Sequence, residues 1–180
     1  MHFKKLYPIL ICVLWVACVS FGAAALHSTV VVNASPLTTT FTPVADAYVS
    51  ELAPASNYGS LTVLRVDASP VLTSYLRFNV QGLVGNVTQA TLRVYAQSSS
   101  SIGYSLRAVT NNTWSESSIT YNTAPPIGAV IASASPFTVG TWISVDVTRF
   151  ITGNGAWNLA LCAQNSTAIN FDSRWPVVSS

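Results

Sequence analysis

The chain has 180 residues with 8 Lys and Arg against 6 Asp and Glu, so its formal charge is only +2 and charged residues make up 8% of it. Both lysines, Lys4 and Lys5, lie at the extreme N-terminus, and beyond them six arginines face six acids. A globally basic surface of the kind that tracks nucleic acid is therefore excluded for the bulk of the chain.

Lys4 and Lys5 precede an apolar run from Leu6 to Phe21, and Ala23-Ala24-Ala25 offers small residues for cleavage. This order predicts a secretory signal peptide over residues 1–25. The competing reading is a retained anchor, since the run approaches the roughly 20 residues that cross a bilayer. Cys12 and Cys18 fall inside this segment, leaving Cys162 alone and no intrachain disulfide in the remainder. Residues 26–37 read as a linker, and residues 38–180 as one domain large enough to bury its own core. Asn33, Asn86, Asn111 and Asn165 each begin an Asn-x-Ser/Thr tripeptide, an acceptor pattern that also arises by chance in a chain rich in these residues.

From Thr38 onward, short runs with a two-residue period alternate with turn residues. Ala45 to Ser50 is the first strand, broken by Pro54 to Gly59. In VLRVD, Leu64 and Val66 take the dry side and Arg65 and Asp67 the wet one. In SYLRFNV, Leu76, Phe78 and Val80 alternate with Tyr75, Arg77 and Asn79. In ATLRVYA, Leu92 and Val94 turn inward while Thr91, Arg93 and Tyr95 turn outward. If these strands are neighbours in one sheet, Arg65, Tyr75, Arg77, Arg93 and Tyr95 form a single basic, aromatic face.

Tyr104 to Val109 is the next strand, followed by the long irregular stretch NNTWSESSITYNTAPPIG. Trp114 is expected to pin that loop to the core. Thr141 to Val147 alternates again, and Trp142 and Trp157, each at a strand start, are expected in or beside the core. Thr148 to Ile151 suits one helical turn before Gly153-Asn154-Gly155, and Trp157 to Ala163 and Ala168 to Phe171 close the chain as strands. Many short strands without a long amphipathic helix predict an all-β, antiparallel β-sandwich of jelly-roll type.

The succession ADAYVS, NYGSLTVLRVD, SYLRFNV, QATLRVYA, NTWSESSITYNTAP, GTWISVDVT, ITGNG and NLAL resembles the DNRLRE domain, also classed as carbohydrate-binding module family 96. The resemblance spans nearly all of Thr40 to Asp172, in the family's order. It implies a secreted or cell-surface β-sandwich that accompanies polysaccharide-degrading enzymes and, in some members, binds the polyuronate alginate. Tyr48 to Arg77 corresponds to the region where alginate binders carry basic groups. Here the lysines expected of such a binder are absent, leaving Arg65 and Arg77. Ser173-Arg174 runs almost directly into WPVVSS, so the final strand reads as shortened or truncated.

Chemically, arginine forks suit carboxylates and hydroxyls, and tyrosine offers a flat face with a polar tip to a sugar ring. His2 and His27 both precede the domain, which leaves no Ser-His-Asp, Cys-His or His-based zinc arrangement within it. Asp67 with Glu116 is a weak candidate for a glycosidase pair. No cofactor is expected; structural calcium would draw on Asp46, Asn57 or Asp146 with backbone carbonyls. The expected function is a non-catalytic polysaccharide-binding module, secreted or extracellular, with no nucleic-acid partner, and in contact with a membrane only if the N-terminal segment is retained. The alternative is a structural or adhesive surface domain with no sugar ligand.

Overall fold

The computed structural model describes residues 38–173; the expected signal peptide and linker, Arg174 and the closing WPVVSS lie outside the described residues. Among the described residues there are nine strands, β1 (Ala45–Ser50), β2 (Val63–Ala68), β3 (Val71–Val80), β4 (Thr91–Tyr95), β5 (Tyr104–Val109), β6 (Val130–Ser133), β7 (Trp142–Asp146), β8 (Gly155–Ala163) and β9 (Ile169–Asp172). Every pairing is antiparallel, as the absence of crossover helices requires. The fold is an all-β antiparallel sandwich.

One layer runs β6-β5-β8-β3, with β1 on the far edge of β3. β2 pairs with β3 only at Asp67↔Leu72 and Ala68↔Val71, around a two-residue turn at Ser69-Pro70, and otherwise pairs with β9. The second layer is thus β2-β9, extended by an Ala96↔Phe171 bridge to the β4-β7 pair.

Period-2 alternation sends Leu64, Val66, Leu76, Leu92, Val94, Leu159, Leu161, Ile143, Val145, Ile169 and Phe171 into the space between the layers, where all are buried. Burying each such aliphatic side chain contributes about 1.5–3 kcal/mol. These residues form the main core.

A second, smaller core lies on the opposite side of the first layer. There Ala45, Ala47, Tyr75, Val109 and Ala160 pack with Trp114 and Ile119 of the 110–127 loop. Cross-strand partners explain the fit: Ala47 and Ala160 flank Tyr75 in register, and their small side chains leave room for the tyrosine and the incoming indole. The loop therefore covers the outer side of β1-β3-β8.

Two expectations change and one holds. β6 was not anticipated: VIAS is short, sits on an edge and is half-exposed, so it carries little alternation. Residues 148–151 do make a single helical turn, closed by Ile151 N–H donating to the Val147 carbonyl at 2.9 Å. Trp142 is not in the core: it is 58% exposed, on the same side of β7 as Ser144 and Asp146.

Candidate functional site

The five arginine and tyrosine positions do not share one face, because β3 belongs to one layer and β2 and β4 to the other. Tyr75 is buried at 3% exposure and donates its phenol to the Pro125 carbonyl at 3.0 Å. Burial, followed by the nearby Cys162 and Tyr121, pushes its pKa up to about 12. It has no surface to offer a ligand. Arg77 is spent on the same loop: Nη1 donates to the carbonyls of Asn112 at 2.9 Å and Trp114 at 2.8 Å, and its Cζ lies 5.1 Å from the Trp114 ring centroid. The polar phase of SYLRFNV is an attachment surface for the loop.

Trp114 completes that attachment, as expected, with Nε1 donating to Asn158 Oδ1 at 3.0 Å and its ring edge-on to Tyr75 at 6.0 Å. The middle of the loop is anchored by Asn57, whose amide donates to the carbonyls of Glu116 at 2.8 Å and Ile119 at 2.7 Å.

Arg65 on β2 and Arg93 and Tyr95 on β4 alternate with the buried core residues of their strands. Arg65 Nε donates to Asn170 Oδ1 at 3.3 Å, and its Cζ stands 6.0 Å from the Tyr48 ring, which is itself stacked on Tyr58. Arg93 is different. Exposed on β4, its Cζ lies 4.9 Å from the Trp142 centroid, and among the described residues no protein acceptor takes its N–H donors. Tyr95, opposite Trp142 in register, meets the indole edge-on at 5.3 Å. The β4-β7 pair thus presents a large exposed aromatic ring, held on one side by a cation and on another by a phenol. Such a ring is suited to stacking against the apolar face of a sugar.

Trp142 is the functional candidate that sequence reasoning missed. Its signal was present, since Trp142 is in phase with Ser144 and Asp146 and out of phase with Ile143 and Val145.

The acids are occupied locally. Thr148 donates its hydroxyl to Asp146 Oδ1 at 2.6 Å and its amide at 2.8 Å, which holds the Asp146 carboxyl below its usual range. Asp46 is 1% exposed and accepts from the Ser173 hydroxyl at 2.9 Å, while its own N–H donates to Glu116 Oε1 at 2.8 Å. Asp67 accepts from the Ser69 amide at 3.1 Å. The calcium candidates Asp46, Asn57 and Asp146 therefore each have a role in holding backbone or side chains. No group of three or more His, Cys, Asp or Glu suited to a metal is found among the described residues. Cys162 is half-buried, and burial pushes its thiol pKa up against the opposing influence of Arg107 and Thr73.

The family model for carbohydrate-binding module family 96 matches residues 37–175. The chain belongs to this family. The match spans all the described strands and the loop that covers the first layer. No curated protein matches the chain. As a family 96 domain the protein is a carbohydrate-binding module.

Proposed function

We propose that this family 96 module is a non-catalytic, secreted polysaccharide binder whose contact surface is the outer side of the β2-β9-β4-β7 layer, centred on Trp142, Arg93 and Tyr95. The observation that carries this reading is the 58% exposure of Trp142 beside an arginine with open donors. Leaving so large an apolar ring in water is unusual for a fold able to bury it, and stacking on sugar covers it. Arg65 extends the same surface toward β2 and β9.

An acidic sugar such as the uronates of alginate would meet Arg93 first. Yet no lysine follows Lys5, and Arg77 is already committed to carbonyls. A polyuronate therefore has little cation to grip, and polysaccharide binding in general is better supported than alginate binding in particular. Affinity electrophoresis of the purified protein in gels containing alginate, pectin, xylan or soluble cellulose derivatives tests the reading. Retardation by at least one glycan is expected; free migration of folded protein through all of them rejects it.

A further inference from the structure

The edges of the sandwich are β1 and β6 in one layer and β2 and β7 in the other. The first three are blunted. On β1, the Asp46 N–H donates to Glu116 Oε1 at 2.8 Å. On β2, the Arg65 carbonyl accepts from the Ser74 hydroxyl at 2.8 Å. β6 is only four residues long, and its ladder to β5 is broken by a bulge between Leu106 and Arg107. Plugs, short length and bulges of this kind keep an edge from pairing with another chain.

β7 has no such device, and its one charge, Asp146, stands at its end. It pairs with β4 in an unbroken register from Tyr95↔Trp142 to Thr91↔Asp146. The Thr141 carbonyl accepts from Ala96 N–H at 2.9 Å and Val147 N–H donates to the Ala90 carbonyl at 2.9 Å, which makes the odd-numbered residues the ones bonded to β4. The N–H and C=O groups of Trp142, Ser144 and Asp146 therefore point outward, and among the described residues nothing bonds them. Residues 132–137 of the first layer face this edge across an open cleft of about 360 Å³ instead of sealing it.

These free groups are self-complementary. When a second β7 runs antiparallel to the first about a twofold axis at Ser144, Ser144 exchanges both backbone bonds with its counterpart, and Trp142 does so with the second copy's Asp146. Charge agrees with this register. Arg93, its Cζ 4.9 Å from the Trp142 centroid, has open donors, and the second copy's carboxylate arrives one strand away from that indole. Within its own chain Asp146 accepts both Thr148 bonds on Oδ1, which leaves Oδ2 open, and Arg149 nearby favours its ionised form. The residue on the axis is the neutral Ser144, so like charges do not meet.

We propose that two copies of this chain associate through antiparallel β7–β7 pairing centred on Ser144, joining their β4-β7 pairs into one continuous sheet in which Arg93 of each copy meets Asp146 of the other. A strand from an unrelated protein satisfies the backbone groups equally, but not both charges in register. The pairing does not depend on the carbohydrate reading. Combined with that reading, it sets two Trp142 rings on one face, roughly 13 Å apart along the strand direction, so a single glycan chain meets both.

Analytical ultracentrifugation of the intact purified protein across a concentration series tests the pairing. A concentration-dependent dimer is expected, with amide exchange at Trp142, Ser144 and Asp146 slower in the dimer than in the dilute monomer. Ser144→Pro removes an outward N–H without touching the ladder to β4, and Ser144→Lys sets like charges opposite each other on the axis. Each should raise the dimer Kd at least tenfold while the melting temperature of the dilute monomer stays within a few degrees of the parent's. Protein that remains monomeric to about 1 mM overturns the proposal. So does a dimer that both variants leave intact, or one whose exchange slows elsewhere and not on β7. The first two measurements need no variant, so a substitution that unfolds the protein does not remove the test.

Discussion

Tyr75 Oη donates a 3.0 Å hydrogen bond to the carbonyl of Pro125, tying the middle of β3 to the far end of the loop that covers it. The donor is buried and the acceptor is in the tandem-proline stretch that ends the loop. Tyr75→Phe keeps the ring against Trp114 and removes only the hydroxyl. The Pro125 carbonyl then loses its partner, at a cost of about 1–3 kcal/mol. Urea denaturation should show the midpoint falling with little change in slope, and glycan binding should persist. A variant as stable as the parent would mean that the loop is held without this bond.

The same tyrosine makes stability sensitive to alkali. Its folded pKa is raised from 10.0 to about 12, mainly by burial, and burial raises Tyr104 in the same direction. Below pH 10 both folded and unfolded chains keep the Tyr75 proton, so this contribution is fully present. Between pH 10 and about 12 the unfolded chain releases it and the folded chain does not, so stability falls as pH rises. At about 1.4 kcal/mol per unit of pKa difference, Tyr75 accounts for roughly 2–3 kcal/mol of that loss. Melting temperatures should be flat through neutral pH and drop above pH 10, with a shallower drop in Tyr75→Phe.

The strands of both layers could be read from alternation, because one buried face per strand leaves a two-residue imprint on the chain. What alternation does not carry is the layer to which a strand belongs. VLRVD, SYLRFNV and ATLRVYA look alike, yet β3 sits in one layer while β2 pairs mainly with β9 in the other, alongside β4. Nor does it reveal that a loop distant in sequence will cover a polar face. Tyr and Arg are ambiguous at such positions, since each has an apolar body and a polar tip that a loop carbonyl satisfies as well as water does. The small residues Ala47 and Ala160, cross-strand from Tyr75, were the hint that something large would pack there, but their neighbourhood exists only after folding. Trp142 is the opposite case, because its phase was legible and the general preference of tryptophan for burial obscured it.

Tyr104 offers a way to stabilise the sandwich. It is 0% exposed in the main core, edge-on to Phe171 at 5.0 Å and to Phe137 at 6.0 Å, and its hydroxyl has no hydrogen-bond partner among the described residues. A buried, unbonded hydroxyl carries a desolvation cost of about 1–3 kcal/mol. Tyr104→Phe removes that cost and keeps both ring contacts, so its melting temperature should equal or exceed the parent's. A clear loss of stability would show that the hydroxyl has a partner in solution, such as an ordered water.

Binding and folding should separate at the β4-β7 surface. Trp142 is exposed and Arg93 rests on it through a cation–π contact worth only about 0.5–1 kcal/mol at such a site. Trp142→Ala should therefore leave the melting temperature within a few degrees of the parent's. Its effect on glycan affinity should be much larger, since truncating an aromatic anchor in an interface commonly costs about 2 kcal/mol or more, over tenfold in Kd. Arg93→Ala should weaken binding less and with little salt dependence if the sugar is neutral, because the arginine then supplies donors and keeps the indole in place rather than pairing with a charge. Arg77→Ala should reverse the pattern: it strips two loop carbonyls of their donor and uncovers one side of Trp114, so stability falls while the β4-β7 surface is untouched. Isothermal titration of the three variants beside their thermal melts reads both quantities. If Arg77→Ala abolished binding with its fold intact while Trp142→Ala bound normally, the contact surface would lie on the loop side of the sandwich.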